Sequence, residues 1–550
     1  MPAPRSGPAP DALPTAAAEP APAAGTLPRR GLLRAGGALA VAGGAGLLVP
    51  GGAVVAVPLV RRAAPVVTHG VQSGDVTANG AVVWTRSDRP ARMFVQVSST
   101  GRFRRRTRWV PGPLLTPESD FTGRVELRGL PSGADVHYRV VVADPDAHRP
   151  DGDAVEGFLR TAPSWRDRRR VRFLWSGDQA GQGWGRNPDI GGFPIYRAMA
   201  ERDPDFFLHS GDTVYADGPI TGDVELPDGT VYRNVVTEEK SHVAETLDDF
   251  RGAFRYNLDD DALRAFVGGV AQVNQWDDHE VHNNWYPGQV IADDRYTVQD
   301  VDVLRARGER AWREYVPISE RRGGRVYRSF SHGPLVDVFV LDMRSYRDSN
   351  ANGAAAGGVG PEGGILGAEQ ARWLVEAVSA SRATWKVVQA DMPIGLVVPD
   401  SATPPAGVEA IAQGDAGVPL GRERQIAWIL RELQRRGVRD HVWLTADVHY
   451  TAAHRYDPAR ATFTEFDPFW EFVSGPLHAG AFGPSALDAT FGPQVVFQAA
   501  PPHPNTSPAE GWQHFGEVEV DPASEEMTVT LRGIDGAALW SVALQPQDRR

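Results

Sequence analysis

The chain of 550 residues is 42% hydrophobic and 23% charged, which fits a globular protein of several domains and excludes a fibrous or wholly disordered one. Its formal charge of −12 excludes the broad basic surface that wraps nucleic acid, so no specific nucleic-acid readout is expected. It holds no cysteine, which excludes disulfides, thiolate metal sites and a cysteine nucleophile and leaves oxygen and imidazole as ligands for any metal.

Residues 1–28 are rich in Ala and Pro and free of aromatics, so they cannot bury a core. Arg29-Arg30-Gly31-Leu32-Leu33-Arg34 then precedes a Gly/Ala/Leu/Val run that reaches Val49, the pattern of an export signal read by the twin-arginine translocase. The run from Ala35 to Val49 spans about 15 residues, short of the ~20 that cross a bilayer, so no stable membrane anchor is expected after cleavage. With cleavage near Val54-Val55-Ala56, residues 1–56 read as a leader and the mature chain as a secreted or periplasm-equivalent protein.

Residues 66–162 alternate short β-branched runs with turn residues. Ala81–Thr85, Met93–Val97 and Val136–Val142 are examples, set apart by Gly, Pro, Asp and Ser clusters, which predicts an antiparallel sandwich. Leu130-Pro131 ahead of Val136-His137-Tyr138 resembles the corner of a fibronectin type III domain. Tyr138 is therefore expected to bond its hydroxyl back to the backbone. Pro163–Arg170 reads as the linker that follows.

Five short segments carry the chemistry. Val171–Ser176 is an apolar strand running into Gly177-Asp178, and Phe206–Ser210 runs likewise into Gly211-Asp212. With a helix over Ile195–Arg202 between them they form a βαβ unit, which places both carboxylates at neighbouring strand ends, where parallel sheets bind ligands. Two bare carboxylates held together repel unless a proton or cation lies between them. The third segment runs from Asp277 to Asn284, and every residue in it except Val281 is Asp, His, Glu or Asn. The fourth ends at Asp391, and the fifth presents Asp447 and His449 two residues apart on one side of an extended tip. Such oxygen and nitrogen donors suit Mn, Fe, Zn, Mg or Ca. Outside these segments, Asp217 reads as a loop cap and His209 as a buried, hydrogen-bonded side chain. Thr237–His242 and Asn352–Gly364 read as surface insertions.

In this order the segments resemble the calcineurin-like metallophosphoesterase superfamily, and within it the alkaline phosphatase D (PhoD) family, related to purple acid phosphatases. Gly211-Asp212-Thr213-Val214-Tyr215 is similar to a Gly-Asp-x-x-Tyr signature, and Trp276–Val281 with Asn283-Asn284 to the PhoD version of a Gly-Asn-His-Asp/Glu motif. Ala446-Asp447-Val448-His449 is similar to a Gly-His-x-His motif with Asp in place of its first His, and Leu341–Arg347 is typical of the branch. The resemblance implies a four-layer αββα sandwich over residues 170–545, following the β-domain. It implies a first metal on Asp178, Asp212, Tyr215 and His449, with Asp212 bridging. It implies a second on Asp278 or Asn283, with Asp447 and, as a further candidate, Asp391. Fe(III) through tyrosinate, accompanied by Ca(II), is the implied pair, with Mn, Zn or Mg as alternatives. Some members carry Cys where this chain has Asp178, which leaves the exact metals open. The implied activity is hydrolysis of a phosphoric mono- or diester by water activated between the two cations, with His279 protonating the leaving group. Arg344 reads either as a structural partner of Asp342 or, the favoured reading, as a group beside the substrate phosphate, which a planar guanidinium suits. A phospholipase D-like phosphodiesterase and a non-catalytic cell-surface polymer-binding protein are the alternatives.

Overall fold

The computed structural model describes residues 64–103, 107–320, 324–350, 358–362, 364–400, 407–415 and 417–547. The leader, its paired arginines and most of the Asn352–Gly364 insertion lie outside the described residues.

Two large sheets pack face to face. One has nine strands, with the parallel trio Val171–Ser176, Phe206–Ser210 and Ala271–Gln275 at its centre. The other has seven, built around the parallel run Val336–Val340, Trp385–Gln389, His441–Thr445 and Phe469–Val473. Strand periodicity explains the layering. In Val171–Ser176, Phe173 and Trp175 enter the core between the sheets, while Leu174 turns to the opposite core. That second core is completed by the helices Ile195–Glu201, Leu247–Leu258, Asp261–Gly269 and Val301–Tyr315. Gly367–Ala380 and Glu423–Arg435 cover the outer face of the seven-stranded sheet with Leu374, Val378, Ile426 and Leu430. The result is the αββα order that the family resemblance implies. The C-terminal strands continue the first sheet, with His514–Val520 antiparallel to Val171–Ser176.

The region 66–162 forms seven strands in two layers, but one layer is shared. Val67–Gly74, Gly80–Ser87 and Thr122–Arg128 are the end of the nine-stranded sheet, joined to it where Gly74 pairs in parallel with Gln272. They face a separate four-stranded sheet across a core of Val71, Val83, Met93, Val95, Tyr138 and Val140. A buried ion pair between Asp75 and Arg328 (2.8 Å) reinforces the seam. Tyr138 departs from expectation. Its hydroxyl finds no backbone acceptor among the described residues. The ring instead covers Gly157 on the paired strand, where any Cβ would lie 2.3 Å from its Cζ.

Candidate metal centre

Every strand named as a carrier of chemistry ends at the same rim of the sandwich. Asp178, Asp212 and the Asp277-Asp278 pair follow the central strands of one sheet, and Asp391 and Asp447 follow those of the other. Asp178, Asp212, Asp447 and His449 all have left-handed backbone, with φ of 68°, 52°, 66° and 59°. For residues with a Cβ this costs of order 1–3 kcal/mol each, strain that the surrounding structure must hold in place. The turns are laced together: the Gln179 N–H donates to the Asp212 carbonyl at 3.0 Å and the Ala446 N–H to that of Asp391 at 2.8 Å. Gly475 is fitted against the first carboxylate, since a Cβ there would stand 2.2 Å from Asp178 Oδ2.

Three ligand groups result, each able to bring its donor atoms within 4.8 Å of one another: Asp178, Asp212 and His449; Asp212, Asp278 and His279; and Asp277, Asp278 and Asp447. Asp212 belongs to two of them and Asp278 to two, as a bridged pair of cations requires. The donor chemistry fits metal. Asp178 Oδ2, Asp277 Oδ2 and Asp278 Oδ1 are buried without a hydrogen-bond partner. Asp178, Asp212, Asp217, Asp277, Asp278, Glu280, Asp391 and Glu409 are buried, and the Asp447 side chain is 14% exposed. The cations paired with these carboxylates among the described residues are Arg344, Arg347 and the imidazole of His279. So large a surplus of buried negative charge needs protons or metal ions. Burial first, then neighbouring carboxylates, drive the carboxyls of Asp178, Asp212, Asp277 and Asp447 well above the usual range.

His449 is set up as a neutral donor. Burial pushes its pKa down to about 4, and Nδ1 donates to the Gly480 carbonyl at 2.5 Å, which leaves the Nε2 lone pair for the cluster. Tyr215 lies with its hydroxyl 2.8 Å from that Nε2. Its ring fits because Gly181 has no side chain: a Cβ there would meet the ring at 2.4 Å. Burial, with Asp212 and Asp178, holds the phenol well above its ordinary pKa, so it would ionise only against a strongly polarising cation.

Several expectations need correction or extension. Arg344 does not reach a substrate-accessible surface. It is fully buried, donates to Asp277 and Glu409 at 2.5 Å each, and lies 3.7–3.8 Å from Asp447 and Asp278. It balances buried carboxylate charge through these contacts. Of the two alternatives Asp278 and Asn283, the structure brings Asp278 into the ligand groups; Asn283 is exposed, and its N–H donates to Asp217. Asp391 stands at the edge of the groups, 3.4 Å from Arg344, where it accepts from Gln275. Asp217 does more than cap a loop: its Oδ1 is 2.7 Å from His279 Nδ1. Burial opposes the charged imidazole, but Asp217, Asp278 and Asp212 outweigh it and hold the His279 pKa well above its usual value. Both ring nitrogens of His209 lack a partner among the described residues, and burial lowers its pKa to about 3. The Thr237–His242 segment is no mere surface insertion. Lys240 is buried, and its Nζ donates to the carbonyls of Tyr215 and Gly218 at 2.5 and 3.0 Å. A further acidic group, Asp415, Glu423 and Asp488, receives backbone N–H bonds from Gln413, Leu420, Gly414 and Thr490 and so holds its own loop.

Residues 173–531 match the family model of the PhoD-like phosphatases, and residues 54–163 that of the PhoD-like phosphatase N-terminal domain. The chain belongs to the PhoD-like phosphatase family. Alkaline phosphatase D of Bacillus subtilis (strain 168) is 31% identical over 269 residues, a match covering 47% of this chain and 43% of that protein. The chain thus spans less than half the length of that relative. Among solved structures, PhoD superposes with a TM-score of 0.66 at 22% identity, covering 87% of this chain and 90% of the other. Purple acid phosphatase PPD1 from yellow lupin seeds gives a TM-score of 0.53 at 13% identity, over 88% and 74%. At these identities the two structures share the PhoD-like fold with this chain.

Proposed function

We propose that this PhoD-like chain is a metal-dependent hydrolase of phosphoric esters. One observation carries the reading: Asp212 and Asp278 are each shared by two ligand groups, and His279, which meets both of them, is held from its other side by Asp217. Asp178, Asp212, Tyr215 and His449 would hold the first cation. Asp278 and Asp447, with Asp212 shared, would hold the second. Phenol, imidazole and carboxylate favour Fe(III) in the first place, and a carboxylate-rich set favours Ca(II) in the second. Bound cations would supply the Lewis acidity that binds phosphate oxygens and acidifies water.

The chain's own residues do the remaining work. Asp217 fixes the imidazole through Nδ1 and stabilises its protonated form, so Nε2 can deliver a proton to the departing oxygen of the ester. Arg344 holds Asp277 and Glu409 in place and offsets part of their charge. Glu280 takes hydrogen bonds from Thr213 and from the Asp277 N–H, which ties the turn after Asp212 to the turn bearing Asp278. Export through the twin-arginine translocase is part of the same proposal and rests on Arg29-Arg30. No helix among the described residues is long and apolar enough to cross a membrane.

The test is turnover of an aryl phosphate and a bis-aryl phosphate by the purified protein, with metal analysis of the same sample. Turnover of either supports hydrolysis, and their ratio separates monoesterase from diesterase, including phospholipase D-like action. A metal-free, inactive protein would favour the polymer-binding alternative.

A further inference from the structure

Of the 57 basic residues in the chain, only Lys240 and Lys386 are lysine. A chain that uses arginine almost everywhere has a lysine at one of its most enclosed positions, 3% exposed, at the end of the short turn Glu238–Lys240. The Nζ atom reaches two carbonyls, those of Tyr215 (2.5 Å) and Gly218 (3.0 Å). Those carbonyls bracket Asp217, so the residue that holds His279 sits at the apex of a turn whose two ends rest on one ammonium group. Main-chain bonds complete the clamp, from the Ile220 N–H to the Lys240 carbonyl (2.7 Å) and from the Ala244 N–H to the Ala216 carbonyl (2.8 Å). A tetrahedral ammonium can turn its donors onto two converging carbonyls in a closed space, whereas a planar guanidinium presents a rigid fork of five N–H groups.

We propose that Lys240 is a positioning residue that sets Tyr215 and Asp217 together, placing the phenol at His449 and the carboxylate at His279 through one contact. The proposal rests on the reading of this centre as that of a metal-dependent phosphoesterase. Lys240→Met removes the donors and keeps the stem; Lys240→Gln retains a shorter, neutral donor and serves where the Met variant does not fold. Loss of an outer partner of this kind costs about 10–100-fold in metal affinity or turnover.

The experiment titrates each full-length variant with Mn(II) alone by calorimetry and measures kcat and KM at saturating Mn(II) on an alkyl phosphate, whose leaving group needs the proton, beside Asp217→Asn and the double variants. The expected result is a 10–100-fold loss in Mn(II) affinity and in kcat, with KM changed less than about twofold. Adding Lys240→Met to Asp217→Asn should lower kcat less than about threefold further, because both act through one turn. Wild-type affinity and kcat in Lys240→Met, or losses that multiply in the double variant, would overturn the proposal while leaving the centre intact. Wild-type protein that neither binds Mn(II) nor turns over the ester would overturn the underlying reading and the proposal with it.

Discussion

Replacing Asp217 with Asn tests the proton donor more directly than any change to a metal ligand. The contact at stake is 2.7 Å between Asp217 Oδ1 and His279 Nδ1, with both side chains at or below 10% exposure. Asp212 and Asp278 also raise the imidazole pKa, but cations bound to them would neutralise that effect, which leaves Asp217 as the carboxylate that keeps the ring protonated. A hydrogen bond to a charged partner contributes roughly 1.5–3 kcal/mol, and each ~1.4 kcal/mol is tenfold in rate. Asp217→Asn should therefore lower kcat about 10–150-fold on an alkyl phosphate, whose leaving group needs the proton. On a 4-nitrophenyl ester, which departs readily as an anion, the loss should be only a few-fold. The pH profile has a definite sign. Asp217 raises the imidazole pKa, so its loss lowers it, the acid form disappears at lower pH, and the alkaline limb of kcat moves toward neutrality. Equal losses on both leaving groups, or an unmoved alkaline limb, would show that His279 is not the acid.

Gly475→Ala would set a Cβ 2.2 Å from Asp178 Oδ2, so metal content and turnover should both collapse while circular dichroism stays native. Arg344→Met strands the buried carboxylate of Asp277 and leaves Glu409 to Arg347 alone, which should destabilise the fold by roughly 3–5 kcal/mol in urea unfolding; unchanged stability with a raised KM would return Arg344 to the substrate. Tyr215→Phe deletes one oxygen and should abolish any visible charge-transfer band, whereas a colourless, iron-free and fully active wild type would remove the tyrosinate. Replacing Arg29 and Arg30 with Lys should trap the protein in the cytoplasm, as read by fractionation and immunoblot.

What could be read from the sequence was whatever has a local grammar. An apolar run, a glycine and an aspartate spell a strand end, and this pattern located Asp178 and Asp212 with their common rim. The Asp-x-His pair after His441–Thr445 was legible for the same reason. Asp217 was not, because it resembles a loop cap until His279, 62 residues on, is folded against it. Arg344 was misplaced because a guanidinium after a strand suits phosphate and carboxylate alike, and its partner Glu409 lies 65 residues away. Lys240 carried a signal, its rarity, but rarity shows neither burial nor partner. The sharing of a sheet between the β-region and the phosphatase region rests on the pairing of Gly74 with Gln272, and no residue pattern announces such a pairing.

That shared sheet means the β-region cannot act as a detachable module. The strand it leans on, Ala271–Gln275, is the one that delivers Asp277 and Asp278 to the centre. Cutting the chain at the linker and discarding the first part would bare that strand's hydrogen-bonding edge to solvent and to other chains, an invitation to aggregate. It would also leave Arg328 buried without Asp75. A protease nick in Pro163–Arg170 should therefore leave two fragments that remain together through gel filtration, and heating should melt them in a single step with the loss of the metal.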